Sequence, residues 1–445
     1  MRKYSGRNWR IPAAVAAISV LLLTTGCSYL GGGTGGDSNS KVLKIFVHSN
    51  APTNEAFAKI NKLFEEQNPG VHVEFATAVG QVDFENGRNT RLTAKNVDIT
   101  EGVADGLRVN PLPDWVKGQK ESDWIRGLEV GNWVDLSDQS FMRNFSSGIL
   151  EQYAYKGKQY AVPTGTSNAT GVFYSKALFA KYGLSVPTTW GELTDVMQVF
   201  KSNGIPPFIM GGKDSWPAFI PGLGLAQSLY PNPAELDKDL WEGKTSLTDP
   251  KSVELMEKLK TIYANAAPNW AGIDYASIPS RFVKGEAAMV PDGTWEIPAI
   301  QTADPNFEFG YFPMPGSDKA ADNRFLASKL EFSLSIPSSS KNQTLAKKWL
   351  ALYSDPKVYA DFIVSSGFGS AQPNVKESDA LAAIQKYLPA SGFTPAWDQV
   401  FHPNTQAGPL AAAPFAYTSI APLGTESDMK SLTQQMQADW KAGLK

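Results

Sequence analysis

The 445-residue chain has one cysteine, Cys27, so no intramolecular disulfide can form and the fold must stand without covalent staples. Histidine is almost as scarce. His48, His72 and His402 are scattered, with no HExxH motif and no cysteine partner. That disfavours a metal centre built from nitrogen or sulfur ligands, and no metal or cofactor is expected. Basic runs are missing as well. Four of the 41 Lys and Arg residues (Arg2, Lys3, Arg7, Arg10) lie at the very start, and beyond residue 26 the balance is 37 cations against 44 acids, or −7. An anionic surface of this kind argues against nucleic acid and phosphate-rich ligands. There is no nucleophile elbow of G-x-S-x-G form and no phosphate-binding loop. The apolar stretch Ile11–Leu23 falls short of the roughly 20 residues a bilayer-spanning helix needs.

That stretch has a different use. A basic head, a short apolar middle and the small residues Thr24-Thr25-Gly26 are the parts of a secretory signal peptide over residues 1–26. The small residues run into Cys27, which resembles the lipobox of bacterial lipoproteins, where the cysteine after the cleavage point receives a diacylglyceryl group. Thr24 stands where leucine is preferred, and Leu23 lies one place early. The other readings are a short uncleaved anchor or an ordinary cleaved signal. Residues 27–40 read as a flexible tether, since Ser28 to Ser40 holds five glycines and no cation. The resemblance implies lipidation at Cys27 and an extracytoplasmic protein anchored to the bacterial cell membrane.

What is plentiful is length and aromatic surface. The 419 residues left after removal of 1–26 exceed the roughly 250–300 that one core serves, so two domains are expected. The 12 Trp, 15 Tyr and 23 Phe are more than cores alone require and suit a stacking surface. Val42–His48 predicts a buried strand. Phe57, Ile60, Leu63 and Phe64 recur at helical spacing up to Pro69-Gly70, and Val71, Val73 and Phe75 alternate. This is a βαβ unit and implies a parallel sheet, whose ligands bind beyond the carboxyl ends of the strands. Asp98–Glu101 reads as another strand end. Gly171–Tyr174 and Ile205–Met210 read as strands of a second alternation. Thr189 to Glu192 has capping-box spacing, and Asp249-Pro250 and Asp355-Pro356 are helix starts. Residues 111–127, with Trp115 and Trp124, read as a long irregular excursion, and long ordered loops are often functional lids.

Four stretches in order carry a resemblance. They are Lys156–Pro163 continuing through Gly171–Lys176 to Pro187-Thr188-Thr189-Trp190; Phe282–Met289 followed by Gly293-Thr294-Trp295; Pro313–Gly316; and Ala346–Leu350 with Ser354-Asp355-Pro356. Together they resemble the family 1 extracellular solute-binding proteins, the sugar receptors of bacterial ABC importers, over nearly the whole mature chain. The resemblance implies an α/β, two-lobed periplasmic-binding-protein-like fold with a hinge of several chain crossings. Carried over, the crossings fall near Thr164–Ala169, Phe312–Gly316 and Leu352. The lobes are then 41–165 plus 313–353, and 166–312 plus 354–445. It also implies a monomer that binds a carbohydrate, hands it to permease subunits, and is not an enzyme.

A sugar offers flat C–H faces ringed by hydroxyls, so its site needs aromatic plates and polar partners. Trp295, in the Gly-x-Trp position of the resemblance, is the first candidate plate. Trp216 in the Gly211–Pro217 loop is the second, with Asp214 as a hydroxyl partner. On the first lobe Asn50 follows the first strand, and Glu101 and Asp105 follow the Asp98 strand end. Asp98 reads as structural, and Trp270 and Trp397 are outside candidates. Two rival functions remain open: an exported glycoside hydrolase, which would need two carboxylates across the scissile bond, and a receptor for a non-sugar solute. The aromatic abundance and the excursion favour an oligosaccharide over a monosaccharide.

Overall fold

The computed structural model describes residues 41–49, 51–103, 109–389, 393–411 and 415–444. The expected signal peptide and tether, Cys27, Asn50 and Asp105 lie outside the described residues.

The first sheet is built from β1 (Val42–His48), β2 (His72–Ala78), β3 (Ile99–Glu101), β4 (Val162–Pro163) and β10 (Ser333–Ser335). Its order is β2-β1-β3-β10-β4. β1 runs parallel to β2 and β3, while β10 is antiparallel to β3 and β4. The pleat sends alternate β1 side chains to opposite faces. Leu43, Ile45 and Val47 join one core, where the helix Ala51–Gln67 buries Phe57, Ile60 and Phe64. Phe46 points to the other face, stacked on Phe84 at 5.4 Å. Covering on both faces explains why β1 reads as an unbroken apolar run. Burying each of those phenylalanines contributes about 1.5–3 kcal/mol.

The second sheet holds β6 (Gly171–Ser175) between β7 (Met289–Asp292) and β8 (Phe309–Pro313), both antiparallel to it. Alternation again divides two cores. Val172 and Phe312 face one, with Leu193, Phe200 and Leu259; Phe173 and Tyr311 face the other, with Phe282 and Ile297. The helix starts are as the sequence implies: Thr189 accepts from Glu192 N at 3.2 Å and Asp355 from Lys357 N at 3.0 Å. The Ile205–Met210 strand reduces to isolated bridges from Phe208 to Ala266 and Met289. Pro206 and Pro207 lack the N–H groups a ladder would need.

A ribbon of β5 (Thr166–Asn168) antiparallel to β9 (Ser328–Leu330) joins the two sheets. The chain passes β4-β5-β6 in one direction and β8-β9-β10 in the other. Gly369 flanks β5, exchanging backbone bonds of 2.6 and 2.9 Å with Thr166, and Thr394 and Ala396 bond to Ser328 on the far side of β9. The cores place two boundaries away from the sequence expectation. Met314 and Leu326 pack with the second sheet. The helix Pro356–Ser366 buries Tyr359, Phe362 and Ile363 against Ala51–Gln67 in the first core. The second and third crossings therefore lie at 326–332 and 367–381. Asp355-Pro356 marks where a helix starts, but an apolar helix face does not say which core it joins.

The excursion is anchored at both ends. Glu121 accepts from Leu112 N at 2.9 and 3.2 Å, closing its base. Its tip docks on the second lobe. Val116 is buried there, Trp115 meets His402 edge-on at 5.2 Å, and Gln119 Oε1 accepts from Thr405 N and Oγ1 at 2.8 and 2.6 Å. The chain then returns to the helix Asp123–Glu129, which buries Trp124 against Trp133 in the first lobe.

Candidate functional site

Beyond the end of β7 the chain reads Gly293-Thr294-Trp295-Glu296. A Cβ at Gly293 would sit 2.1–2.4 Å from the Trp295 ring, so only glycine lets the indole fold back over its own backbone. Thr294 is buried, and its Oγ1 accepts from Asn168 N at 3.0 Å, tying this turn to β5 in the hinge ribbon. Trp295 is half-buried and packs against the cores of both lobes. Its Nε1–H donates to Tyr275 Oη at 2.9 Å, and Tyr275 Oη donates to Glu296 Oε2 at 2.7 Å.

Trp216 completes an aromatic corner. Its ring lies edge-on to Tyr275 at 4.5 Å and 6.2 Å from Trp295, tilted by 55°. It is 40 % exposed, unusual for so large an apolar side chain beside others. The residue before it, Ser215, adopts φ 62°, a conformation that costs about 1–3 kcal/mol outside glycine. Asp214 is exposed, and its Oδ2 accepts from Tyr275 N at 2.7 Å. Lys213 bonds to Ile273 O and to Asp274, so the loops 211–216 and 270–277 are stapled together.

Two carboxylates lie beneath the corner, Asp292 at 1 % and Glu296 at 6 % exposure. Burial pushes the Glu296 carboxyl up to about 7, against the Tyr275 hydrogen bond that favours its ionised form. Asp292 is pushed well above the usual carboxylate range by burial and by the neighbouring Glu296 charge, while Gly293 N–H bonds to it at 2.7 Å. Tyr311 Oη donates to the Asp292 carbonyl at 2.8 Å and the Asn168 carbonyl at 3.0 Å, a second link from site to hinge.

Across the ribbon, Glu101 is fully buried. Its Oε1 accepts from His48 N at 2.7 Å, and both oxygens contact His48 Nδ1 at 2.9 and 3.0 Å. It therefore holds His48, whose ring lies edge-on to Phe332 at 5.0 Å. Asp98 accepts from Lys44 N, Ser340 Oγ and Asn342 Nδ2. Trp270 and Trp397 are core residues, packed on Tyr263 and Tyr230. The structure thus unites Trp295, Trp216 and Asp214 at one corner and sets Glu101 on the other lobe. Tyr275 and Glu296 were missed, since a tyrosine about twenty residues upstream of the Gly-x-Trp turn shows no motif. A separate cavity of about 630 Å³, lined by Arg88, Trp124, Trp133 and Pro337, lies wholly in the first lobe. Among the described residues, no cluster of His, Cys, Asp and Glu is placed to hold a metal, and no helix is long and apolar enough to cross a membrane.

Known proteins share this architecture. The multiple sugar-binding protein of Streptococcus mutans is 24% identical over 356 residues, covering 76% of this chain and 77% of its own. The solute-binding protein RafE in complex with raffinose superposes with a TM-score of 0.74 at 22% identity, over 91% of this chain and all of that one. A sugar transporter protein of Bacillus licheniformis, solved with stachyose, superposes at 0.67 and 19% identity, over 91% and 100%. At such identities the structural likeness speaks to the two-lobed α/β fold. Residues 50–360 match the family described as bacterial extracellular solute-binding protein. With well over half its length matched in this way, the chain belongs to the bacterial extracellular solute-binding proteins.

Proposed function

We propose that the chain is the carbohydrate receptor of a bacterial ABC importer, which binds an oligosaccharide between its lobes and presents it to the permease. The observation that carries this is the aromatic corner. Two indoles, one of them well exposed, stand at an angle beside the hinge ribbon, held by a hydrogen-bonded tyrosine. Apolar plates with few fixed polar groups are what a sugar face needs. The relatives named for sugar binding, raffinose and stachyose support the same class. Trp295 and Trp216 act as plates; Asp214 borders them; Asn50 and Asp105 stand for the polar side contributed by the first lobe. Lipidation at Cys27 anchors the protein, a monomer, outside the cytoplasm, and no catalysis is assigned.

The hydrolase reading draws on one observation, the Asp292–Glu296 pair with its raised carboxyl. Both groups are buried, at 1 % and 6 % exposure, whereas a hydrolase needs its pair open to the scissile bond. The decisive experiment is a thermal-shift screen across mono- and oligosaccharides, followed by a reducing-end assay on whatever stabilises the protein. A ligand at 100 times its Kd adds about 2.7 kcal/mol of stability. A stabilising oligosaccharide that stays intact supports the receptor; new reducing ends would support the hydrolase, and stabilisation by amines or peptides alone the non-sugar receptor.

A further inference from the structure

We propose that Tyr275 is a specificity-determining positioning residue, which sets the angle between the Trp216 and Trp295 plates before any sugar arrives. The inference rests on the reading of those tryptophans as sugar-stacking plates.

Four attachments converge on this one residue. Its hydroxyl accepts the Trp295 indole N–H at 2.9 Å and donates to Glu296 at 2.7 Å. Its ring supports the edge of Trp216 at 4.5 Å, and its backbone N–H is held by Asp214 at 2.7 Å. A tyrosine hydroxyl has one proton and an indole has one N–H. With Glu296 taking the hydroxyl proton, the remaining lone pairs of Oη are left for Trp295, so the chain of bonds runs one way. Turning the Trp295 indole out of the corner would part its donor from Tyr275 and from the Asp292 carboxyl, which also lies within hydrogen-bond reach of it. A tyrosine that merely filled a core would not need an exposed tryptophan leaning on it, nor a serine at positive φ delivering that tryptophan.

The result is a corner, not a flat platform: two rings 6.2 Å apart and inclined by 55°. Two successive sugar rings that turn relative to each other can each lie on a plate. A single ring can use only one. Fixing the corner therefore favours oligosaccharides over monosaccharides, and loosening it should cost the former more than the latter.

The test measures calorimetric affinities of the mature chain and its Tyr275→Phe, Glu296→Gln and Trp295→Ala variants. The probes are glucose, galactose and xylose, and di- to tetrasaccharides that include raffinose and stachyose. Tyr275→Phe keeps the ring under Trp216 and loses both hydroxyl bonds. It is expected to weaken the tightest oligosaccharide about three- to tenfold, the worth of the lost bond to the Trp295 indole, with monosaccharide affinity held within about twofold. Glu296→Gln keeps only a neutral acceptor for the Tyr275 hydroxyl and should weaken the tightest oligosaccharide in the same direction, by less than Tyr275→Phe does. If Tyr275→Phe binds and ranks every sugar as wild type does while Trp295→Ala is weak, the positioning role is wrong and the plates stand. If Trp295→Ala also binds normally, or no sugar binds the wild type, both readings fall. Should Tyr275→Phe not fold, exchange of the Trp295 indole N–H in the sugar-free wild type decides, with its signal identified by its loss in Trp295→Phe. A protected proton supports a preset plate; rapid exchange overturns it.

Discussion

Glu296 gives the site its pH signature. In the folded protein its carboxyl keeps its proton up to about pH 7, whereas an unfolded glutamate releases it near 4.5. Between those values the folded state binds more protons than the unfolded state. Stability contributed by this group is therefore present at the acid end and lost as pH rises through the window. The unfolding midpoint of the sugar-free protein should fall between about pH 5 and about pH 8, and by less in Glu296→Gln. Asp292 shifts in the same direction, so some slope should remain; identical slopes in both proteins would contradict the buried-acid description. At this scale the sequence disclosed what a short motif can disclose. Trp295 and Trp216 stand out because glycines precede them in strand-end turns. Glu101 stands at the Asp98 strand end in the sequence, which makes it a site candidate there. It is the last residue of β3, and its carboxylate is buried on His48. Tyr275 reaches Trp295 only through the tertiary fold.

Among the elements, the hinge ribbon is closely packed. A Cβ on Gly165 would lie 2.7 Å from the Gly369 carbonyl and 2.9 Å from Phe368 Cβ, so strands of the first and third crossings meet there. Gly165→Ala should cost about 1–3 kcal/mol, the range for overpacking a site that cannot relax, read as a lower urea midpoint at unchanged slope. The excursion makes a different prediction. Gln119 supplies the acceptor for both Thr405 groups and donates to Asn404. Gln119→Ala should expose residues 111–122 to proteolysis in the sugar-free protein; cleavage at the wild-type rate would show that Val116 and Trp115 hold the loop alone. The starts of helices were readable from caps and prolines, since those signals are local. The partner of each helix was not. Pro356–Ser366 joins the first core through Tyr359 and Phe362, a choice made by residues some 300 positions away.

For the whole molecule, two sheets with separate cores are joined by a ribbon that also holds the aromatic corner, the frame of the proposed receptor. Asn168 N–H bonds to Thr294, and Tyr311 bridges Asn168 to Asp292, so the ribbon is bonded directly to the turn bearing Trp295. The two-lobed plan was legible because length and four ordered motifs pointed the same way; the boundaries shifted because core membership is a three-dimensional property. The most direct test of sugar binding at this corner is a calorimetric titration of wild type and Trp295→Ala with the tightest oligosaccharide, alongside their sugar-free unfolding midpoints. If roughly 100 Å² of the indole covers the sugar, its loss costs about 2.5 kcal/mol. The expected result is roughly 70-fold weaker binding by Trp295→Ala at an unchanged midpoint. A lowered midpoint with intact affinity would contradict it and make Trp295 a core residue.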